Sequence, residues 1–298
     1  MDYYLGLDIG GSSIKYGLED AEGQLILFSS IPLRERSLAE FRAITRDILH
    51  ICQSYTLDGA IAAIGIGSPG QIDHRRGIII GNNPNLPFWT MISPTAIMPE
   101  DLDLKVVFDN DANLMALGEA SHYPAGHNVL GVTIGSGIGC GFCIGGKVFG
   151  GSRGYAMELG HITSIIDGAA CNCGRYGCLE AYSSLNGMRN RLCEIGYKAN
   201  DWNFVQLLQA AELDKEVKAI LDKGIELFSL ALANLMIILE PDHLVIGGGA
   251  SEIPLYPVQE LIDKIQSLLP PELTDISIDL AKQGNKAGVL GAIRLARG

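Results

Sequence analysis

The chain has 298 residues, 47% of them hydrophobic, and a formal net charge of −12, from 22 Lys and Arg against 34 Asp and Glu. That length and apolar content exclude a disordered chain and suit two domains or one large one. The acidic balance, with no run of basic residues, argues against nucleic acid or an anionic membrane surface as the main partner.

The chain opens directly on a strand-like segment with no basic, apolar leader, and its longest apolar run, near 227–239, is interrupted by Ser229 and Asn234. No membrane span is expected, and the protein is read as cytoplasmic. Residues 3–18 form strand, glycine turn, strand, and a third strand over 24–31 follows a turn at Glu22 and Gly23. Asp8 closes the first strand beside Gly10, Gly11 and Ser12. Such a turn offers backbone N–H groups and hydroxyls to a phosphate, and Asp8 could hold a magnesium ion or its water shell. An ordinary hairpin explains the same letters. No Gly-Lys-Ser/Thr ending or helix follows directly, so this is not a P-loop.

Ser37 and Glu40 spell a capping box, with Leu38, Phe41, Ile44, Ile48 and Cys52 at helical spacing behind it. A buried strand over 60–67 ends in Gly65, Gly67, Ser68, Pro69 and Gly70. The glycine letters match the dinucleotide fingerprint, but Pro69 and a polar stretch over 71–77 replace the helix that fingerprint must open, so a Rossmann site is rejected. The 81–89 loop is dense in amides (Asn82, Asn83, Asn85) beside Trp89. Amides suit sugar hydroxyls, and they are equally common turn residues. A strand over 101–108 then leads into Asp109, Asn110, Asp111 and Asn113, with a helix expected over 112–122. Acids at a helix start serve as caps as readily as they serve chemistry.

Residues 129–149 repeat the pattern of strand, glycine turn, strand around Gly135, Ser136, Gly137 and Gly139. This echo suggests two related halves, each presenting a phosphate-gripping hairpin to a shared cleft. Cys171, Cys173 and Cys178 then fall within eight residues, and His161 lies ten before the first. Three thiolates and an imidazole make one tetrahedral zinc set, and Gly174 and Gly177 let the chain fold back to complete it. A disulfide or idle thiols are the alternatives, but seven cysteines is an odd number and nothing looks secretory. Zinc with four protein ligands has no open position for a catalytic water. It would clamp the loop carrying Glu158, His161 and Glu180, turning both carboxylates toward a polyhydroxylated ligand. His161 could bind through one nitrogen and donate from the other. Helices are expected over 179–194, 203–212 and 217–239, the last stopped by Pro241. A strand from 244 runs into Gly247, Gly248 and Gly249; a helix over 258–269, a strand over 276–280 and a closing helix over 287–297 complete the chain.

These motifs, in this order, resemble the ROK family, a branch of the sugar kinase, heat-shock protein and actin superfold. The likeness spans nearly the whole chain: Asp8 to Lys15, Asn110 to Asn113, Gly135 to Gly139, Glu158 to His161, Cys171 to Glu180, and Gly247 to Gly249. It implies an α/β fold of two related actin-like (ribonuclease H-like) domains with a cleft between them. The first would cover 1–112, with the closing helix packed back on it, and the second 113–286 with the zinc loop. The implied activity is ATP-dependent phosphorylation of a hexose, most simply at the 6-hydroxyl. Asp111 would be the general base, and Ser68, Asn85, Asn110, Asp111, Glu158, His161 and Glu180 the substrate ligands. The nucleotide grip would be Asp8, Gly10, Gly11, Ser12, Lys15, Gly135, Ser136, Gly137, Gly247, Gly248 and Gly249. Magnesium would sit at Asp8 and structural zinc at His161, Cys171, Cys173 and Cys178. A homodimer is also implied.

Ser12 and Ser136 stand where threonine is usual, which keeps the hydroxyl, and Cys140 replaces a common glycine beside the second turn. Seven residues before Asp8 leave no room for the DNA-reading module of the family's regulators. A sugar sensor without catalysis is the rival reading, disfavoured because a sensor needs none of the phosphate machinery. Glucose, allose, fructose and N-acylated hexosamines share most of the hydroxyls to be read. The 83–87 run and the Tyr256–Pro257 pair look slightly more like allose kinases.

Overall fold

The computed structural model describes residues 1–56, 59–80 and 86–298. In chain order the elements are β1 (Asp2–Ile9), β2 (Ser13–Glu19), β3 (Leu25–Pro32), α1 (Leu38–Gln53), β4 (Ala60–Ser68), β5 (Gln71–Asp73), β6 (Ile78–Ile80), β7 (Lys105–Asn110) and α2 (Asp111–Glu119). There follow β8 (Val129–Ile134), β9 (Ile138–Ile144), β10 (Lys147–Val148), α3 (Glu180–Ser183), α4 (Leu185–Glu194), α5 (Phe204–Leu213) and α6 (Lys215–Leu239). The chain closes with β11 (His243–Gly247), α7 (Val258–Leu268), β12 (Ser277–Leu280) and α8 (Ala287–Arg297). Among the described residues no helix is long and apolar enough to cross a membrane.

Contacts divide the chain into two units, one of Met1–Ala125, Gly141–Ala156 and Asn285–Gly298, the other of Gly126–Cys140 and Met157–Gly284. The first unit holds a sheet in the order β3-β2-β1-β4-β7. Its β1–β2–β3 side is antiparallel, and β1, β4 and β7 run parallel. Residues Ala63 and Ile64 to Ser68 of β4 are all buried, the near-continuous run of a strand covered on both faces. The second sheet has the order β10-β9-β8-β11-β12, the same connectivity of a hairpin beside parallel strands. The echo read in the two glycine turns is thus an echo of whole sheets.

Helix α8 lies on the first sheet. A Cβ on Gly65 would overlap the Ala292 carbonyl, so glycine sets how closely helix and strand approach. Helix α1 buries Phe41, Ile44, Thr45, Ile48 and Cys52, the expected stripe with Leu38 only partly covered. Its capping box is half realised: Ser37 accepts the Glu40 N–H at 3.2 Å, but the Glu40 carboxylate accepts from Arg34 (2.7 Å), Glu35 (3.0 Å) and Arg36 (2.6 Å). Three N–H donors in the preceding turn outcompete the single one at the cap.

After Gly70 the chain forms the antiparallel pair β5–β6, where a Rossmann unit would open a helix. The helix read over 179–194 is two. Ser184 is extended (φ −90°, ψ 161°) and its hydroxyl accepts the Gly187 N–H at 3.0 Å, a cap that restarts the chain as α4. Helix α6 ends at Glu240 in the left-handed region, one residue before Pro241, which disfavours α geometry at its predecessor.

Candidate active site

In the first unit, strand register aligns the candidate residues. Asp8 pairs with Gly67 and Gly67 with Asp109, and Ser68 pairs with Asn110. All lie at the carboxyl ends of parallel strands, where open α/β sheets gather their ligand-binding groups. Asp8 faces Lys15 across β1 and β2 at 3.6 Å, and Lys15 Nζ donates to Asn285 Oδ1 at 3.1 Å. Burial raises the Asp8 carboxyl above its usual range, with Lys15 pulling it back. The Gly10 N–H is spent within the turn, donating to Ser13 O at 2.9 Å. Ser12 is exposed, and its carbonyl accepts the Leu33 N–H at 2.8 Å. Gly11 lies between them, partly buried.

Asn110 caps α2, its Oδ1 accepting from Ala112 at 2.9 Å and Asn113 at 3.3 Å, while Nδ2 donates to Gly70 O at 3.2 Å. Asp111 is the first residue of that helix, and its Oδ1 accepts the Ala112 N–H at 2.9 Å. An anionic group is stabilised there by the helix N-terminus. The helix starts one residue earlier than the 112 read from sequence, and its last turn, 120–122, tightens to 3₁₀ geometry. Ser68 is wholly buried, and its hydroxyl accepts from Trp89 Nε1 at 2.8 Å and donates to Pro69 O at 3.1 Å. Asn85 lies outside the described residues, as do Asn82 and Asn83. Tyr256 is a core side chain, set edge-on to Phe204 at 5.8 Å.

In the second unit, Gly135, Ser136 and Gly137 form a turn in which the Gly135 N–H donates to Gly137 O at 3.0 Å. Carbonyls of Gly135 and Ser136 accept the N–H groups of Leu185 and Asn186 at the start of α4. Glu180 Oε2 accepts the Ile138 N–H at 2.9 Å, and a Cβ on Gly137 would come within 2.6 Å of that oxygen. Glu180 therefore braces the second glycine turn, a contact the sequence pattern did not disclose. Gly247 pairs with Thr133, and a Cβ on Gly248 (φ +89°) would lie 2.6 Å from the Ile134 backbone. Gly249 faces open space. Cys140 is buried in β9, its thiol raised by burial first and then by the Glu158 charge.

His161, Cys171, Cys173 and Cys178 place their ligand atoms within 4.8 Å of one another. His161 Nδ1 lies 3.7 Å from Cys171 Sγ, and Cys173 and Cys178 Sγ are 3.6 Å apart. Zinc bound tetrahedrally by such ligands needs edges of about 3.5–3.8 Å. The residues fit the ion. Burial pushes Cys171 up to about 12; at Cys173 burial acts upward too, but the Arg175 N–H and neighbouring thiols outweigh it. His161 Nε2 lies 3.9 Å from Glu158 Oε2, so the ring spans from the cage to that carboxylate. Arg175 ties the loop down through His161 O (3.0 Å) and Thr163 Oγ1 (2.9 Å). Gly177 has φ +72°, and a Cβ there would overlap the Ile165 carbonyl, so its place in the loop admits glycine alone.

The family model described as the ROK family matches residues 4–298. A glucokinase of Thermotoga maritima is 31% identical, with 98% of this chain and 96% of that one covered. An N-acetyl-D-glucosamine kinase of Shigella boydii is 30% identical over 97% of each chain. Among solved structures, a ROK family glucokinase from Streptomyces griseus in complex with glucose and AMPPNP has a TM-score of 0.78 at 27% identity, over 99% of both chains.

Proposed function

Because the chain belongs to the ROK family, we propose that it transfers the γ-phosphoryl group of ATP to a hydroxyl of a hexose or N-acylhexosamine. The observation that carries this is full-length likeness to sugar kinases of both substrate types in a chain that keeps Asp111 at the helix start. Asp111 takes the proton of the attacking hydroxyl, the new P–O bond forms at the γ-phosphorus, and ADP leaves with the electron pair of the broken bond. Phosphoryl transfer needs alignment and charge neutralisation more than covalent help. Glu158, His161, Glu180 and Asn110 are the proposed sugar readers, with Asn85 from the family pattern. The turns at 10–12, 135–137 and 247–249 are the proposed phosphate grip, with Lys15 beside Asp8.

Asp8, a single carboxylate next to a phosphate turn, suits magnesium, which keeps most of its waters and spreads the phosphate charge. The Cys3His cage suits zinc, which supplies a cross-link within the loop bearing Glu158 and Glu180. Exposed Leu230, Ile237 and Ile238 on α6 support a homodimer, checked by a light-scattering mass twice that of the chain. A cytoplasmic location accords with dependence on ATP.

The test is incubation with magnesium-ATP and a panel of glucose, allose, mannose, fructose, N-acetylglucosamine and N-acetylmannosamine, reading ADP and locating the phosphate by phosphorus NMR. Release of ADP with a 6-phosphosugar is expected. Sugar binding with no ADP from any member would leave the protein a sensor. Asp111→Asn should lower kcat by about 10²–10⁴ while sugar still binds.

A further inference from the structure

Asp109 is a buried carboxylate, 6% exposed, to which the proposed chemistry gives no role. It stands one residue before the cap Asn110 and two before Asp111. Its Oδ1 accepts the Asn110 N–H at 2.7 Å and Asn113 Nδ2 at 2.8 Å, and its Oδ2 lies 3.5 Å from His74 Nε2. Asn113 is buried in the first turn of α2, and its Oδ1 has no hydrogen-bond partner among the described residues. Asp109 thus fixes that amide and joins strand end to helix start.

The imidazole is held from three sides. His74 follows β5, stacks on Phe108 with ring planes 10° apart, and donates its backbone N–H to Arg153 O at 3.0 Å. A Cβ on Gly154 would overlap the ring, so the 150–156 segment packs against it. Its side chain is 36% exposed and in reach of solvent protons.

A buried carboxylate is costly without a compensating charge, and both groups on Oδ1 are neutral donors. His74, 3.5 Å away, supplies that charge in its protonated form. Its hydrogen bond to Asp109 and the charges of Asp109 and Asp73 raise its proton affinity against the effect of burial. The other charged groups nearby are engaged elsewhere. Asp73 is bonded to the Tyr155 hydroxyl and to the Arg75 and Arg76 N–H groups, and the Arg153 guanidinium lies 5.0 Å over the Tyr155 ring. On β9 the Cys143 thiol is pushed up to about 12, by burial and then by Asp109, and carries no charge.

We propose that His74 and Asp109 form a charged clasp at the β7–α2 junction, positioning Asn110 and Asp111 and cancelling a negative charge that would otherwise hold a proton on Asp111. The catalytic purpose of the clasp, though not its charge coupling, rests on Asp111 being the general base. Neighbouring carboxylates raise one another's proton affinity, and a protonated Asp111 cannot accept the hydroxyl proton. His74 is a positioning residue: it acts through Asp109.

A charge cycle tests this with His74→Gln, Asp109→Asn and the double variant. Glutamine keeps an amide donor near the Nε2 position and does not titrate. Carbon-13 NMR reads the Asp111 carboxyl directly, and the acid limb of kcat/KM for the best sugar reads the same group in turnover. His74→Gln should move both midpoints up by about half a pH unit or more, Asp109→Asn should move them down, and the double variant should restore them. If Asp109→Asn does not fold, His74→Phe, which keeps the stacking on Phe108, should repeat the upward shift. Folded variants whose midpoints all stay at the wild-type value overturn the clasp, even if kcat falls. An NMR cycle as expected in a protein that phosphorylates no sugar upholds the clasp and sinks the kinase reading.

Discussion

His161 offers its two nitrogens to two neighbours, the cysteine cage on Nδ1 and Glu158 on Nε2. Metal loss should therefore be felt by the sugar. Cys178→Ser is expected to drop bound zinc, by elemental analysis, and to weaken sugar affinity in the same step; chelation of the wild type should reproduce it. Full sugar affinity in a zinc-free variant would sink the clamp. At His74 the linkage runs to stability. Its proton affinity is raised on folding, so the clasp stabilises the fold below the unfolded-state value near 6.5, and the gain is lost as pH rises through the higher folded value. Denaturant midpoints of wild type and His74→Gln should thus differ most at mildly acidic pH and converge as pH rises. The cluster of His161, Cys171, Cys173 and Cys178 was legible because its members lie close in sequence. His74 and Asp109 were not, because a histidine in a polar turn and a carboxylate 35 positions later show no pairing until β5 and β7 meet.

Helix α8 matches its sequence-read bounds, yet its function was hidden. Gly288, in its first turn, leaves room for Asp8: a Cβ there would lie 2.8 Å from the Asp8 Cγ. Gly288→Ala should displace the carboxylate and lower kcat with little loss of stability, since the Asp8 side chain can move. Gly65→Ala, which meets the fixed Ala292 carbonyl, should instead cost about 3 kcal/mol in denaturant unfolding. A stability loss at Gly288→Ala equal to that at Gly65→Ala would contradict this division. The glycines were visible as letters; which of them accommodates a backbone and which a carboxylate is a tertiary fact.

For the whole molecule, the closing residues 285–298 belong to the same unit as the first strand. Truncation after Lys286 should strip hydrogen-exchange protection from β1 and β4 and leave α6 protected; equal loss in both would show that the units do not fold separately. The sequence by itself determined the fold class, the family and the Cys3His cluster, because those signals are local: apolar runs ending in glycine turns, and one histidine and three cysteines within eighteen residues. Only the tertiary structure decided which acids share a strand end, that Glu180 braces the second glycine turn, and that Asp109 answers to His74. Such pairings depend on strand register and helix approach, which join positions far apart in the chain and leave no periodic trace along it.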